Sequence, residues 1–140
     1  MTQRHAVRGR LLTFTGDPAE VGSAASHRYL TDGLVVIEGG TIAKVGEAAA
    51  LLPTLAPGTP VDHYPDQLVL PGLIDTHLHF PQTQVIASYG AQLLEWLQKY
   101  TFVEEQKFAE PDHARRVAGF FMDELLRNGT TTAVVYCSVH

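Results

Sequence analysis

Two histidines separated by one residue, His77 and His79, are the residues of this chain best suited to chemistry. They close the run Leu73-Ile74-Asp75-Thr76-His77-Leu78-His79, which is entered from the apolar Leu68-Val69-Leu70 through a Pro71-Gly72 break. Side chains on a strand alternate faces with period 2, so both histidines point the same way, about 7 Å apart along one face. Imidazoles so placed can converge on one metal ion, each lending a neutral ring nitrogen. Asp75 and Leu73 continue that row, while Ile74, Thr76 and Leu78 face the other side, where helices would pack on a parallel sheet. With 7 His in 140 residues, a bare His-x-His pair arises by chance in about one such chain in three, so the pair takes its meaning from its context.

That context predicts the elements that must hold the pair. From Glu110 to Asn128 the pattern is helical: Pro111 suits the first position and Asp112 the positive end of the helix dipole. Ala114, Val117, Ala118, Phe121 and Leu125 make one apolar face, and Asn128-Gly129 supplies a left-handed stop after Arg127. Thr130 to Cys137 is β-branched and apolar, the pattern of a buried strand. Strand, helix and strand in this order predict a βαβ unit and hence a parallel sheet. Leu93, Leu94, Trp96, Leu97 and Tyr100 are spaced for one face of a further helix. The connection of about 30 residues between His79 and the main helix reads as a long loop, which in barrels usually carries function. His140 follows the second strand, where such loops begin, and is a candidate to approach the same site.

The first half has a different texture. Ala6 to Phe14 predicts a strand closed by Thr15-Gly16-Asp17-Pro18, and residues 19–32 read as a loop. Leu34–Glu38 and Thr41–Val45 flank Gly39-Gly40, a two-residue hairpin signal. Gly46 to Ala56 predicts a helical turn before Pro53, Pro57 and Pro60 interrupt it. Val61–Tyr64 and Gln67–Leu70 are short strand candidates. The expectation is a small β-sandwich over residues 1–70, followed by an α/β domain over residues 71–140.

Composition narrows the class. Hydrophobic content of 45% with 18% charged residues indicates a globular chain, and a net charge of −5 without a basic run argues against nucleic acid or a membrane surface as partner. Cys137 stands alone, so no intrachain disulfide is available, which fits a reducing compartment; it reads as a buried strand residue rather than a nucleophile. The apolar piece after Arg4, Arg8 and Arg10 is too short for a secretory leader and Asp17 interrupts it, so the expected location is the cytoplasm. His5, His27, His63 and His113 have no motif around them and read as surface residues.

The run Pro-Gly-Leu-Ile-Asp-Thr-His-Leu-His resembles the first barrel strand of the amidohydrolase superfamily, metal-dependent hydrolases and deaminases built on a TIM-type (β/α)₈ barrel. Three segments narrow the resemblance. His77-Leu78-His79-Phe80-Pro81-Gln82, Leu93-Leu94-Glu95-Trp96-Leu97 through Tyr100-Thr101-Phe102, and Arg127-Asn128-Gly129-Thr130-Thr131-Thr132 together look like the guanine deaminase family of that superfamily. One departure is Val103, where that family often has Pro after Tyr-Thr-Phe; it bears on loop stiffness rather than chemistry.

The resemblance implies that His77 and His79 are two zinc ligands, with one Zn²⁺ per subunit. It implies that Gln82 hydrogen-bonds the purine, offering both donor and acceptor to a base edge, and that Trp96 and Leu97 wall the pocket. Asp75 is expected to be structural. The implied reaction is hydrolytic deamination of guanine to xanthine and ammonia through a zinc-activated water, in a homodimeric cytoplasmic enzyme. A sibling amidohydrolase acting on a related heterocycle (a deaminase or a chlorohydrolase) is the alternative, and a catalytically inactive piece the other. No catalytic residue of the proton shuttle is expected here: that group and the remaining ligands would lie beyond His140. A (β/α)₈ barrel needs about 250 residues, so only its first βαβ unit would be present, and the chain alone is expected to be inactive. The other deaminase design, His-x-Glu with Pro-Cys-x-x-Cys, is closed to a chain with one Cys.

Overall fold

The computed structural model describes residues 4–90 and 92–140, and the chain divides into two compact units, Met1–Pro71 and Gly72–His140.

In the first unit β1 (Arg4–Phe14) leads through a one-turn helix, α1 (Pro18–Val21), to β2 (His27–Glu38), β3 (Thr41–Glu47), a second short helix, α2 (Ala48–Leu51), and β4 (Val61–Val69). Asp17 caps α1 by accepting from the Ala19 N–H at 2.8 Å. β2 starts at His27, well inside the span expected as loop. The reason is pairing: Leu11–Phe14 at the far end of β1 lie opposite Leu30–His27. The hairpin forms as expected, with Gly39 at φ 59° and Gly40 at φ 83°, the mirror-image turn whose twist matches the flanking strands. The two strand pieces around Pro65 are one strand, β4. Gly9 pairs with Tyr64 and Arg10 with Leu68, so Pro65, Asp66 and Gln67 bulge out of the ladder. A proline without an N–H is tolerated at such a bulge on an edge strand.

These strands make one four-stranded sheet in the order β3-β2-β1-β4, antiparallel except that β4 runs parallel to β1. Alternation along β2 sends Leu34 and Val36 to one face, where they pack with Ala6 and Ala48 under Leu51, Leu52 and Leu55. Leu34 is completely buried, which stabilises the unit by about 2 kcal/mol. Val35 and Ile37 face the other side with Leu11, Leu30, Val45 and Val69, around an apolar hollow of about 210 Å³. Among the described residues the unit is one sheet with a short helical layer, because all four strands pair edge to edge; a second sheet of the expected β-sandwich is not among them.

In the second unit β5 (Leu73–His79) is followed by a 3₁₀ turn over Phe80–Val85. A mostly helical stretch follows: α3 (Leu93–Trp96), a π-helical turn (Leu97–Thr101), α4 (Phe102–Glu105) and a 3₁₀ turn (Gln106–Ala109). The expected long loop is thus largely wound. Next comes α5 (Pro111–Arg127), ended by Asn128, whose side chain donates to the Glu124 carbonyl at 2.9 Å, and by Gly129 at φ 80°. β6 (Thr130–Tyr136) runs parallel to β5, which completes the predicted βαβ unit. The pair is less covered than a buried parallel sheet. Ile74 is 69% exposed and Val134 54%, since among the described residues this sheet has two strands. Gly72 is required by proximity, because a Cβ there would sit 2.0 Å from Thr131 Oγ1 and 2.7 Å from its Cβ.

No described helix is long and apolar enough to cross a membrane. Across β1 and β2, Arg8 holds Asp32 with two bonds, Nε to Oδ1 at 2.7 Å and Nη2 to Oδ2 at 2.6 Å. The Arg8 hydrogen bond and charge hold the Asp32 carboxyl below its ordinary value, aided weakly by His63 and opposed by partial desolvation. A carboxyl depressed on folding stabilises above its unfolded pKa and loses that contribution as pH falls through the folded one. Urea unfolding should therefore show stability falling below about pH 4, and Asp32→Asn should flatten that acid limb.

Candidate active site

The strand pair aligns in a register with one irregularity that matters. Asp75 pairs with Ala133 and Leu78 with Val135, so Thr76 and His77 together oppose Val134. Such a bulge leaves backbone groups outside the ladder and re-aims side chains. The His77 N–H is taken up by the chain itself, donating to Asp75 Oδ1 at 2.9 Å. Asp75, on the expected metal-facing row, thus turns its carboxylate back on the backbone and fixes the strand at the first histidine.

His77 and His79 converge as their spacing implies. Their Nε2 atoms are 3.1 Å apart. Two nitrogens bound tetrahedrally to zinc at 2.0–2.1 Å lie about 3.3 Å from each other, so this pair fits two positions of such a donor set. Among the described residues no third His, Cys, Asp or Glu joins them, so the pair is a partial site. Behind the rings stands Tyr136, opposite His79 in the strand register. Its ring stacks on His79 at 4.9 Å with a 15° tilt and meets His77 at 4.7 Å. Tyr136 fixes both imidazoles from the neighbouring strand, and no local spacing could have pointed to it.

Gln82 comes from the 3₁₀ turn that follows β5. Pro81, second in this turn, is buried, and Thr83 Oγ1 donates to the Phe80 carbonyl at 2.6 Å. Phe80 anchors it, meeting Phe108 edge-on at 5.3 Å and Phe121 at 6.1 Å. The Gln82 amide nitrogen then lies 3.4 Å from His79 Nδ1 and 3.4 Å from Glu105 Oε1. Glu105, from α4, is a second residue that the sequence reading missed.

His77, His79, Gln82 and Trp96 line one hollow of about 330 Å³, together with Ile86, Ala87 and Phe121. That volume suits a small planar molecule. Trp96 contributes an aromatic wall; Leu97, one residue on, is half-buried and does not line this hollow. Ala87, in the rim, has φ 61°, a left-handed backbone that costs a non-glycine residue about 1 kcal/mol. His113 is not the plain surface residue expected: its ring packs edge-on to Phe108 at 4.9 Å, and its Nε2 is buried. The His140 amide donates to Ser138 Oγ at 3.2 Å, and His140 does not line the hollow.

If Asp75 holds the bulge, Asp75→Ala should expose the His77 amide to rapid hydrogen exchange and cost about 1 kcal/mol of stability. Asp75→Asn keeps a carbonyl acceptor and should recover most of both, read by amide exchange and by denaturant midpoint.

Comparison with known proteins gives this arrangement its relatives. Guanine deaminase of Escherichia coli K12 is 41% identical over 138 residues, covering 96% of this chain and 31% of that protein. Its solved structure superposes with a TM-score of 0.89 at 40% identity, over 97% of this chain and 32% of that one. Guanine deaminase from C. acetobutylicum, solved with guanine bound in the active site, matches with a TM-score of 0.75 at 28% identity, over 98% of this chain and 30% of that one. The chain thus spans about a third of the length of these relatives. The model of the amidohydrolase family matches residues 68–140, the stretch holding the paired histidines, the crossover helix and both parallel strands; by that match, over more than half its length, the chain belongs to the amidohydrolase family.

Proposed function

We propose that this chain is the leading part of a zinc-dependent guanine deaminase, which hydrolyses guanine to xanthine and ammonia. The observation that carries the reading is the convergence of the His77 and His79 Nε2 atoms at 3.1 Å beside a hollow that Gln82 and Trp96 also line. In this reading residues 71–140 begin a (β/α)₈ barrel, whose further strands would cover the exposed faces of β5 and β6. Residues 1–70 belong to a β-sandwich, in which the open apolar face around Val35 and Val69 receives a second sheet. The enzyme works in the cytoplasm as a homodimer. The match of the chain to solved guanine deaminases, one of them carrying guanine, supports the substrate.

His77 and His79 would hold the metal through Nε2, both rings neutral and backed by Tyr136. A zinc ion held there would supply a hydroxide nucleophile at neutral pH, by making a water acidic enough to lose a proton. Gln82 binds the base edge, and the Trp96 face excludes water from one side of the ring plane; Leu97, which does not line the hollow, has no part in that wall. The carbon that carries the amino group gains the water oxygen and loses ammonia. The carboxylate that moves protons between them belongs, in this reading, to sequence after His140.

Ammonia release from guanine by the complete zinc-loaded gene product tests the assignment. His77→Ala should lower kcat/KM by more than about a hundredfold and reduce bound zinc, since it removes a ligand rather than a ligand's support. Gln82→Ala should act mainly through KM. Stoichiometric zinc without guanine turnover would overturn the substrate and move it to a sibling heterocycle.

A further inference from the structure

We infer that Glu105 is a positioning residue that fixes which face of the Gln82 amide meets the purine; this rests on the substrate reading above. A glutamine amide has a donor end and an acceptor end of nearly equal size, and turning it over inverts what the base encounters. The groups around Gln82 disagree about that choice. Glu105 Oε1 lies 3.4 Å from the amide nitrogen, and a carboxylate oxygen, which only accepts, demands the NH₂ end. His79 Nδ1 lies 3.4 Å from the same nitrogen. When His79 lends Nε2 to a metal, its Nδ1 carries the proton and would favour the carbonyl end instead.

The two demands are unequal. A hydrogen bond to an ionised group is about twice as strong as a neutral one, so the carboxylate prevails and the NH₂ stays turned towards it. Glu105 is free for this task. Its neighbour Glu104 is occupied by Lys107 at 2.6 Å, whereas Glu105 enters no ion pair among the described residues. It reaches Gln82 across 23 positions of sequence, from α4 to the turn after β5. The Gln82 carbonyl oxygen is thereby kept as an acceptor for an N–H of the base. Ligands that present a hydrogen-bond donor at that point are selected over those that present an acceptor.

The test compares wild type, Glu105→Gln, Glu105→Asp and Gln82→Ala, alone and combined, in the complete zinc-loaded protein. Removing the charge lets the amide turn over, so Glu105→Gln should raise KM for guanine about tenfold, with kcat within about threefold. Equilibrium dialysis of guanine against metal-free protein should show a weaker affinity in the same variant. Glu105→Asp, which keeps the charge on a shorter arm, should recover part of the loss, and thermal melting should be unchanged throughout. In the Gln82→Ala background Glu105→Gln should have no further effect on KM, because a residue acting through Gln82 has nothing left to act on. An unchanged KM in Glu105→Gln, or the same increase without Gln82, would overturn the assignment while guanine turnover by wild type stood. A kcat loss that persists in the Gln82→Ala background would overturn it in favour of direct participation. Absence of guanine turnover in wild type would instead remove the substrate reading itself.

Discussion

The bulge that sets Thr76 and His77 against Val134 leaves one backbone donor outside the ladder, and the Asp75 carboxylate takes it up. Much of the site follows from that contact. With the His77 N–H satisfied, the strand can carry an extra residue at this point without an unpaired polar group. The two imidazoles that emerge on either side of Leu78 then meet at their Nε2 atoms. Tyr136 supports them from the partner strand, so the positions of both rings depend on the register of β5 against β6 as well as on β5 itself.

A second tier of contacts fixes what lies beside the histidines. Phe80 wedged near Phe108 and Phe121 ties the turn after β5 to the helical stretch and to α5. The same anchoring sets Gln82 within reach of both His79 and Glu105. The aromatic contacts are apolar and fix where the turn sits, while the polar contacts select among orientations of one amide. Position and orientation are thus controlled by different kinds of interaction.

What could be read from the sequence was what neighbouring residues decide among themselves. The facing of His77 and His79 follows from strand period, α5 from its apolar face and its Pro111 and Asn128-Gly129 ends, and the hairpin from Gly39-Gly40. Amidohydrolase membership was legible in the motif around the histidines. The features that escaped depend on partners far away in the chain. β2 begins at His27 because β1 continues to Phe14 opposite it. β4 survives Pro65 because the residues around it bulge out against β1. Tyr136 and Glu105 enter the site through register and packing, and neither carries a local signature. β6 and Cys137 read as buried, but among the described residues the sheet has one partner strand, and Cys137 lies past the end of β6 and is exposed.

The pairing of Leu73 with Thr130 also has a temporal side. Parallel strands joined by so long a crossover meet only after the intervening chain has lost much of its freedom, and loop-closure entropy delays such contacts. The hairpin between β2 and β3 and the turns of α5 can form within their own segments; the bulge at His77 cannot, because it exists only once β6 has docked. The supports of the nitrogen pair, the bulge and Tyr136, thus depend on a contact between residues far apart in the chain.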